Sequence, residues 1–373
     1  MTLKVSQINN EDRSFWDNSL DQFQYAHPLN AFGWGKVREV DGWKATYFIA
    51  KDGDDVRGMM LVLRKNIPLT GLSIMYAPKG PLCELNDHQT IHALLKSVQE
   101  EGLRTRSIFL RIDPNIPENA IGVADDPFLR AGFVHLDHRW SFWNSPRDLY
   151  RIDLSSFTSE DDLFNTLDRD ARRCVRKAGR EGVSIRPAQT KDELQKFYEI
   201  FSEFTVGKGF MCRQYRYQEK LWDEFIARGN GRVFLAIYKG EIIGGLICLK
   251  QAGKCLAMHM GTPSQYSNLQ TYYAYVWESI RWAWENGCRW YSFRGVGTTP
   301  AQESFKRKFN PRIASLVGYY DFAFRPLLYK IFYRVEFKIL PLIWRMLMML
   351  RKEYKGFRNK LRQMVVVSDS LNK

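Results

Sequence analysis

Phe48-Ile-Ala-Lys-Asp-Gly-Asp-Asp-Val-Arg-Gly58 and Phe234-Leu-Ala-Ile-Tyr-Lys-Gly-Glu-Ile-Ile-Gly244 align without a gap at an offset of 186 residues, and Leu63 and Leu249 keep that offset. The first reads as a β-hairpin, with strands over Ala45–Lys51 and Val56–Arg64 joined by the turn Asp52-Gly53-Asp54-Asp55. A short helix within residues 30–44, ending near Asp41-Gly42, precedes it. A strand over Leu72–Ala77, the turn Pro78–Pro81, a helix over His88–Glu101 and a strand over Ser107–Ile112 follow, and Asp113-Pro114 closes the last. The second hairpin is followed in the same way by a strand, a helix closed by Asn286-Gly287, and a strand whose end, Ser292-Phe-Arg294, resembles Phe109-Leu-Arg111. The matching order of elements predicts one α/β unit used twice.

The chain has 373 residues, enough for two cores, and its 45% hydrophobic and 14% aromatic content is that of a globular protein. Six scattered cysteines without a C-x-x-C pair suit free thiols in a reducing compartment. The polar N-terminus has no apolar core of a signal peptide, so a cytoplasmic location is expected. The net charge of +14 is unevenly placed: from Arg325 onward twelve Lys/Arg stand against three Asp/Glu, nine of the fourteen surplus charges. A nucleic-acid coat over the whole surface is therefore not implied, and the tail needs its own account.

Between the copies, Ser155–Arg232 reads as mostly helical, with Ser159 as an N-cap before acidic residues. In Leu167–Gly179 the cations Arg169, Arg172, Arg173, Arg176 and Lys177 gather on one side of a helix. Two readings stand there: a solvated face, or a surface that contacts phosphates. In the tail, Leu340, Ile343, Leu347, Leu350, Tyr354, Phe357, Leu361 and Met364 recur at helical spacing with Lys338, Arg345 and Lys352 opposite. This is a basic amphipathic helix, either packed on protein or lying on an anionic membrane.

The aromatic strand Trp290–Phe293 runs into a turn with Gly295 and Gly297 and then into Phe305-Lys306-Arg307-Lys308-Phe309. Lysines between aromatics bind or stabilise negative charge when a low-dielectric wall holds them. A solvated turn before a basic strand is the plainer alternative. There is no Walker A loop, G-x-S-x-G elbow or H-E-x-x-H motif. His135 and His138 lack partner ligands for a metal, and His259 reads as a packed residue of a buried strand.

Phe32-Gly-Trp-Gly-Lys36, Tyr76-Ala-Pro-Lys-Gly-Pro81, Arg111-Ile-Asp-Pro114, Arg172-Arg-Cys-Val-Arg-Lys-Ala178, Arg213-x-x-x-Tyr217 and Phe305-Lys306-x-x-Phe309 together resemble the Fem (FemXAB) family over roughly residues 30–325. The resemblance implies an α/β (α+β) fold of two GNAT-like domains in tandem, here residues 1–153 and 154–324, with residues 325–373 as a basic helical tail. It implies an aminoacyltransferase that moves an amino acid from aminoacyl-tRNA to an amine on the stem peptide of a peptidoglycan precursor, UDP-linked or lipid-linked. No cofactor is implied, since the charged tRNA is itself the donor substrate.

By the same resemblance, Lys36, Arg213 and Tyr217 grip the precursor and its diphosphate, and Asp113 matches a carboxylate at the precursor site that fits a base or, equally, the cap of a strand end. Phe305 and Lys306 flank the reacting ester, Lys306 stabilising the tetrahedral oxyanion. Arg172, Arg173, Arg176 and Lys177 lie near the tRNA. Met258 and Met260 stand where the family often has tyrosines, which bears on the acceptor. The acyl-CoA loop R/Q-x-x-G-x-G/A is missing from Gly261–Thr271, against an ordinary acetyltransferase. A lipid-linked acceptor gives residues 338–364 a reason to meet an anionic membrane, placing the protein peripherally at its inner face. Two alternatives remain: a GNAT-like N-acyltransferase using another donor on a cell-envelope sugar or amine, and a non-catalytic binding protein of the same fold.

Overall fold

The computed structural model describes residues 3–122, 125–136, 146–208, 212–297, 299–340, 342, 343 and 346. The strands are β1 (Lys4–Ile8), β2 (Lys44–Asp52), β3 (Asp55–Ile67), β4 (Leu72–Lys79), β5 (Leu82–Cys83), β6 (Ser107–Pro114) and β7 (Val134–Leu136). They continue as β8 (Asp148–Asp153), β9 (Ser184–Pro187), β10 (Gly231–Tyr238), β11 (Glu241–Gln251), β12 (Lys254–Gly261), β13 (Trp290–Ser292), β14 (Arg312–Ser315) and β15 (Tyr319–Ala323).

The repeated hairpin is β2–β3 and, again, β10–β11. Phe48 pairs with Met60 and Ala50 with Gly58, and a bulge follows Ala50. At the same offset Phe234 pairs with Leu246, Ala236 with Gly244, and a bulge follows Ala236. Gly58 and Gly244 are both sterically required. A Cβ on Gly58 would come within 2.7 Å of Thr90 Cγ2, and one on Gly244 within 2.6 Å of the Gly261 carbonyl oxygen. The copies thus share register, bulge and a crowded glycine as well as sequence.

One sheet has the order β1-β2-β3-β4-β6-β15-β7, with β5 beside β3; the other runs β9-β10-β11-β12-β13-β8-β14. The orders match place for place, with β4 parallel to β6 and β12 parallel to β13. The sixth strand of each sheet comes from the other half of the chain. β15, at the end of the second copy, pairs with β6, while β8, at the end of the first, pairs with β13. Packing follows: Tyr320 joins the core of the first sheet, and Tyr150 and Ile152 join that of the second. Fully burying a large apolar side chain is worth about 1.5–3 kcal/mol, so each loan ties the halves together.

The expected boundary at 153/154 is therefore corrected: each copy reaches into the other's sheet. Alternating apolar residues mark a strand without saying which neighbour it pairs with. β9 lies inside Ser155–Arg232, which is otherwise mostly helical, as expected. It is a short edge strand ending in Pro187, where proline is tolerated. The basic segment after the glycine turn is a helix, Pro300–Arg307, not a strand. Pro at its first position and the Thr299 hydroxyl, which accepts from the Gln302 N–H, start it.

Residues up to Phe324 form one unit, and a second begins at Arg325. The second is helical over Pro326–Arg334 and passes into a π-turn at Val335–Ile339. Most of the basic amphipathic stretch expected at 338–364 lies outside the described residues, as does His138. Among the described residues no helix is long and apolar enough to cross a membrane.

Candidate active site

β13 ends at Ser292, and the chain turns sharply through Phe293–Gly297. Arg294 has φ +73° and Gly297 φ +132°, and a Cβ on Gly297 would meet the Glu303 backbone N at 3.1 Å. The turn is thus packed against the helix Pro300–Arg307. It aims two carbonyl oxygens at that helix: Lys306 Nζ donates to Gly295 O at 2.6 Å and to Phe293 O at 3.4 Å. An ammonium has three N–H donors, so one remains. Burial, with the Arg294 charge added to it, pushes the Lys306 ammonium down to about 8.

Phe305, half-buried, meets Tyr273 edge-on at 5.0 Å and Phe309 at 5.3 Å, with Tyr272 at 6.0 Å. This is the apolar wall expected beside Lys306. Its neighbours point elsewhere. Arg307 pairs with Glu303 at 2.7 Å and lies over the Tyr150 ring, and Lys308 pairs with Asp170 at 3.3 Å. The two cations that the sequence left without a role anchor the helix.

Lys308 also fixes the position of the cationic helix, Arg169–Arg180: its carbonyl accepts from the Asp168 N–H at 2.9 Å. Ala171 and Ala178 bury one side of that helix, leaving its cations outward. Arg173 pairs with Asp170, Arg172 donates to Asn165 Oδ1 at 3.0 Å, and Arg176 covers the Phe164 ring. Lys177 lies on the same helix, half-exposed. An open depression of about 420 Å³, lined by Asp168, Pro300, Glu303, Ser304, Arg307 and Lys308, connects this helix to the one that carries Lys306.

A second cationic group surrounds the helix Phe32–Glu39. Lys36 pairs with Glu39 at 3.2 Å and sits over the Phe32 ring. Arg213 covers the Tyr217 ring at 4.7 Å and pairs with Asp41. Arg38 also approaches Asp41, at 3.6 Å, and Lys65 donates to the Asp41 carbonyl at 3.0 Å. Three cations thus gather around one aspartate. Burial lowers both Arg38 and Lys65, and Arg38 Nε is buried with no hydrogen-bond partner. Arg38, Asp41 and Lys65 complete this candidate group, and motif reading missed them. The i, i+3 spacing of Arg38 and Asp41 at the end of the helix was the available signal.

Asp113 is 1% exposed. Lys79 Nζ lies 2.9 Å from Oδ2, while the Tyr76 hydroxyl and the Lys79 N–H donate to Oδ1. The carboxylate braces the ends of β4 and β6, the strand-end reading of this residue. Tyr217 is buried too, and presents its ring to Arg213. His259 on β12 lies beside Gln218 and Phe201: its Nδ1 is 3.0 Å from Gln218 Oε1 and its ring stacks on Phe201. Burial, reinforced by Arg294 and Arg213, drives it down to about 3. It is a neutral packed residue, as its strand context predicts.

The FemAB family model matches residues 16–239 and 238–336, nearly the whole described chain. The chain belongs to the FemAB family. It is 24% identical over 224 residues to a lipid II:glycine glycyltransferase of Staphylococcus aureus, a match covering 58% of this chain and 52% of that one. The chain therefore spans about half the length of the curated relatives it matches. The crystal structure of FemX superposes with a TM-score of 0.78 at 16% identity, covering 88% of this chain and 99% of FemX. A tandem GNAT protein from the clavulanic acid biosynthesis pathway follows with a TM-score of 0.53 at 12% identity, over 86% of this chain and 98% of that one. The fold of this FemAB member is mixed α/β with two GNAT-like domains in tandem.

Proposed function

We propose that this FemAB chain is an aminoacyltransferase that moves an amino acid from aminoacyl-tRNA to an amine on the stem peptide of a peptidoglycan precursor. One observation carries the reading: Lys306 Nζ, fixed by the Gly295 and Phe293 carbonyls beside the Phe305 ring, keeps one N–H to offer. The amine attacks the ester carbonyl carbon, and the third N–H of Lys306 stabilises the oxyanion that forms. The intermediate collapses with loss of the ribose oxygen, which takes up the proton given by the amine. The donor ester is already activated, so orientation and charge stabilisation suffice without a covalent enzyme intermediate.

The outward cations of Arg169–Arg180, joined to the Lys306 helix through Lys308, fit the phosphates of the tRNA arm. Lys36, Arg38, Lys65 and Arg213 fit the diphosphate of the acceptor, and the relative's name supports a lipid-linked one. Such an acceptor places the enzyme peripherally at the inner face of the cytoplasmic membrane, with the basic tail against it. The test is incubation of the protein with radiolabelled aminoacyl-tRNAs and with UDP-linked and lipid-linked muramyl peptides. Label entering the precursor supports the proposal. Transfer from acyl-CoA alone overturns it in favour of a GNAT-like N-acyltransferase acting on an envelope amine or sugar, and binding without transfer indicates a non-catalytic member of the fold.

A further inference from the structure

From Pro326 the chain presents two adjacent rows of exposed side chains. Leu327, Ile331, Val335, Ile339 and Ile343 form one, each between 36% and 77% exposed. Lys330, Arg334 and Lys338 form the other, each directly before an apolar member and also exposed. Leu342 and Met346 widen the apolar row at its far end. Four-residue steps drift about 40° each around an α-helix. The π-turn at Val335–Ile339 closes a wider ring and takes back part of that drift, so the row stays on one side. On the other side Tyr329, Tyr333 and Phe337 pack ring to ring, at 6.1 and 4.8 Å.

We propose that this face, Leu327 to Met346 with its row of Lys330, Arg334 and Lys338, docks on an anionic lipid bilayer, lying in the plane of the headgroups. The apolar row enters the acyl boundary and the basic row meets lipid phosphates, the arrangement of an interfacial helix. A second copy of the chain fits poorly. A coiled-coil seam repeats every 3.5 residues, not every four, and pairing here would set each cation against cations of its own kind. The stripe read from sequence starts at Leu340 and runs through Ile343 to Leu347. The exposed face begins thirteen residues earlier and excludes Leu340, which is half-buried. The inference rests on the proposed membrane location but not on the transfer chemistry.

The experiment is co-sedimentation of the full chain with vesicles of phosphatidylglycerol and phosphatidylcholine in equal parts, against phosphatidylcholine alone, at low and high salt. The native chain should partition at least tenfold better onto the anionic vesicles at low salt. Leu327→Ser/Ile331→Ser/Ile339→Ser should lose most binding at both salts. Lys330→Gln/Arg334→Gln/Lys338→Gln should lose the salt-sensitive part. Both should keep their melting temperature and their turnover on a UDP-linked acceptor, which needs no membrane. Unchanged binding by the serine variant overturns the proposal, placing any lipid contact beyond Met346. A native dimer that the same changes dissolve overturns it in favour of a second copy. Vesicle binding without turnover on either a UDP-linked or a lipid-linked acceptor would refute the transfer reading and leave this face standing.

Discussion

Lys306 Nζ lies 2.6 Å from the carbonyl oxygen of Gly295, a main-chain acceptor presented by a turn that only a tight backbone permits. The ammonium is thereby oriented without being neutralised, since no carboxylate pairs with it among the described residues. Replacing Lys306 by Met should lower kcat by about 10²–10³-fold, the usual cost of removing one oxyanion donor, with little change in acceptor KM.

The pH dependence of that step follows from the same burial. With the ammonium lost at about 8, the rate of the native enzyme should fall as pH rises through that value, and Lys306→Met should lack this limb. Stability has the opposite sign. The unfolded lysine keeps its proton to about 10.4, so the charge costs folding stability below pH 8, and the cost fades between the two values. Thermal melts at pH 7.5 and 9.5 should show native stability gaining relative to that of the Met variant. A pH–rate profile identical in both proteins would remove Lys306 from the mechanism.

Donor binding is tested on the outward helix. Arg173→Glu with Lys177→Glu should raise the KM for aminoacyl-tRNA. Each lost phosphate contact should also flatten the slope of log affinity against log salt by about 0.7–0.9. A KM and salt slope equal to those of the native enzyme would assign these cations to a solvated face.

The hairpin repeat was readable because strand pairing, turn and bulge all leave local marks at one offset, Phe48 to Gly58 and Phe234 to Gly244. The exchange of β8 and β15 was not, because partner choice depends on residues far away along the chain. Likewise Phe305 and Lys306 were visible at the start of a basic run between aromatics, but the partners of Lys306 are carbonyls, which every residue has. Asp113 kept two readings for a related reason: a carboxylate at a strand end looks the same in sequence whether it meets a ligand or Lys79 and Tyr76.

At the acceptor site, Arg213→Met removes one of three cations around Asp41 and should raise the acceptor KM about tenfold or more, the worth of a hydrogen bond to a charged group. Asp41→Asn takes the carboxylate charge from Arg38 and Arg213 and should tighten binding of inorganic diphosphate as a competitor. Equal inhibition of the native enzyme and the Asp41→Asn variant would separate this cluster from the phosphate site.

His259, held neutral down to about 3, should put no inflection in the rate profile between pH 5 and 8. Its effect lies in stability. The unfolded chain takes up a proton near pH 6.5 that the folded one refuses, so folding weakens as pH falls from there. His259→Phe, which keeps the stack on Phe201, should therefore lose less melting temperature than the native chain between pH 7.5 and 5. An equal loss in both would show that this ring does not set the acid limb.

Arg111 on β6 and Asp321 on β15 form a bidentate pair, with both bonds 2.7 Å long, across the seam where the second copy enters the first sheet. Both side chains are almost fully buried. Asp321→Ala breaks this buried pair by removing one member and should cost about 3–5 kcal/mol. Arg111→Met/Asp321→Leu, which removes both charges, should recover most of that loss. Because β8 and β15 are exchanged, the loss should not stay in one sheet: urea unfolding of the Ala variant should remain a single transition at a lower midpoint. A first transition confined to the sheet that receives β15, with the other sheet melting as in the native protein, would show that the loaned strands do not couple the halves.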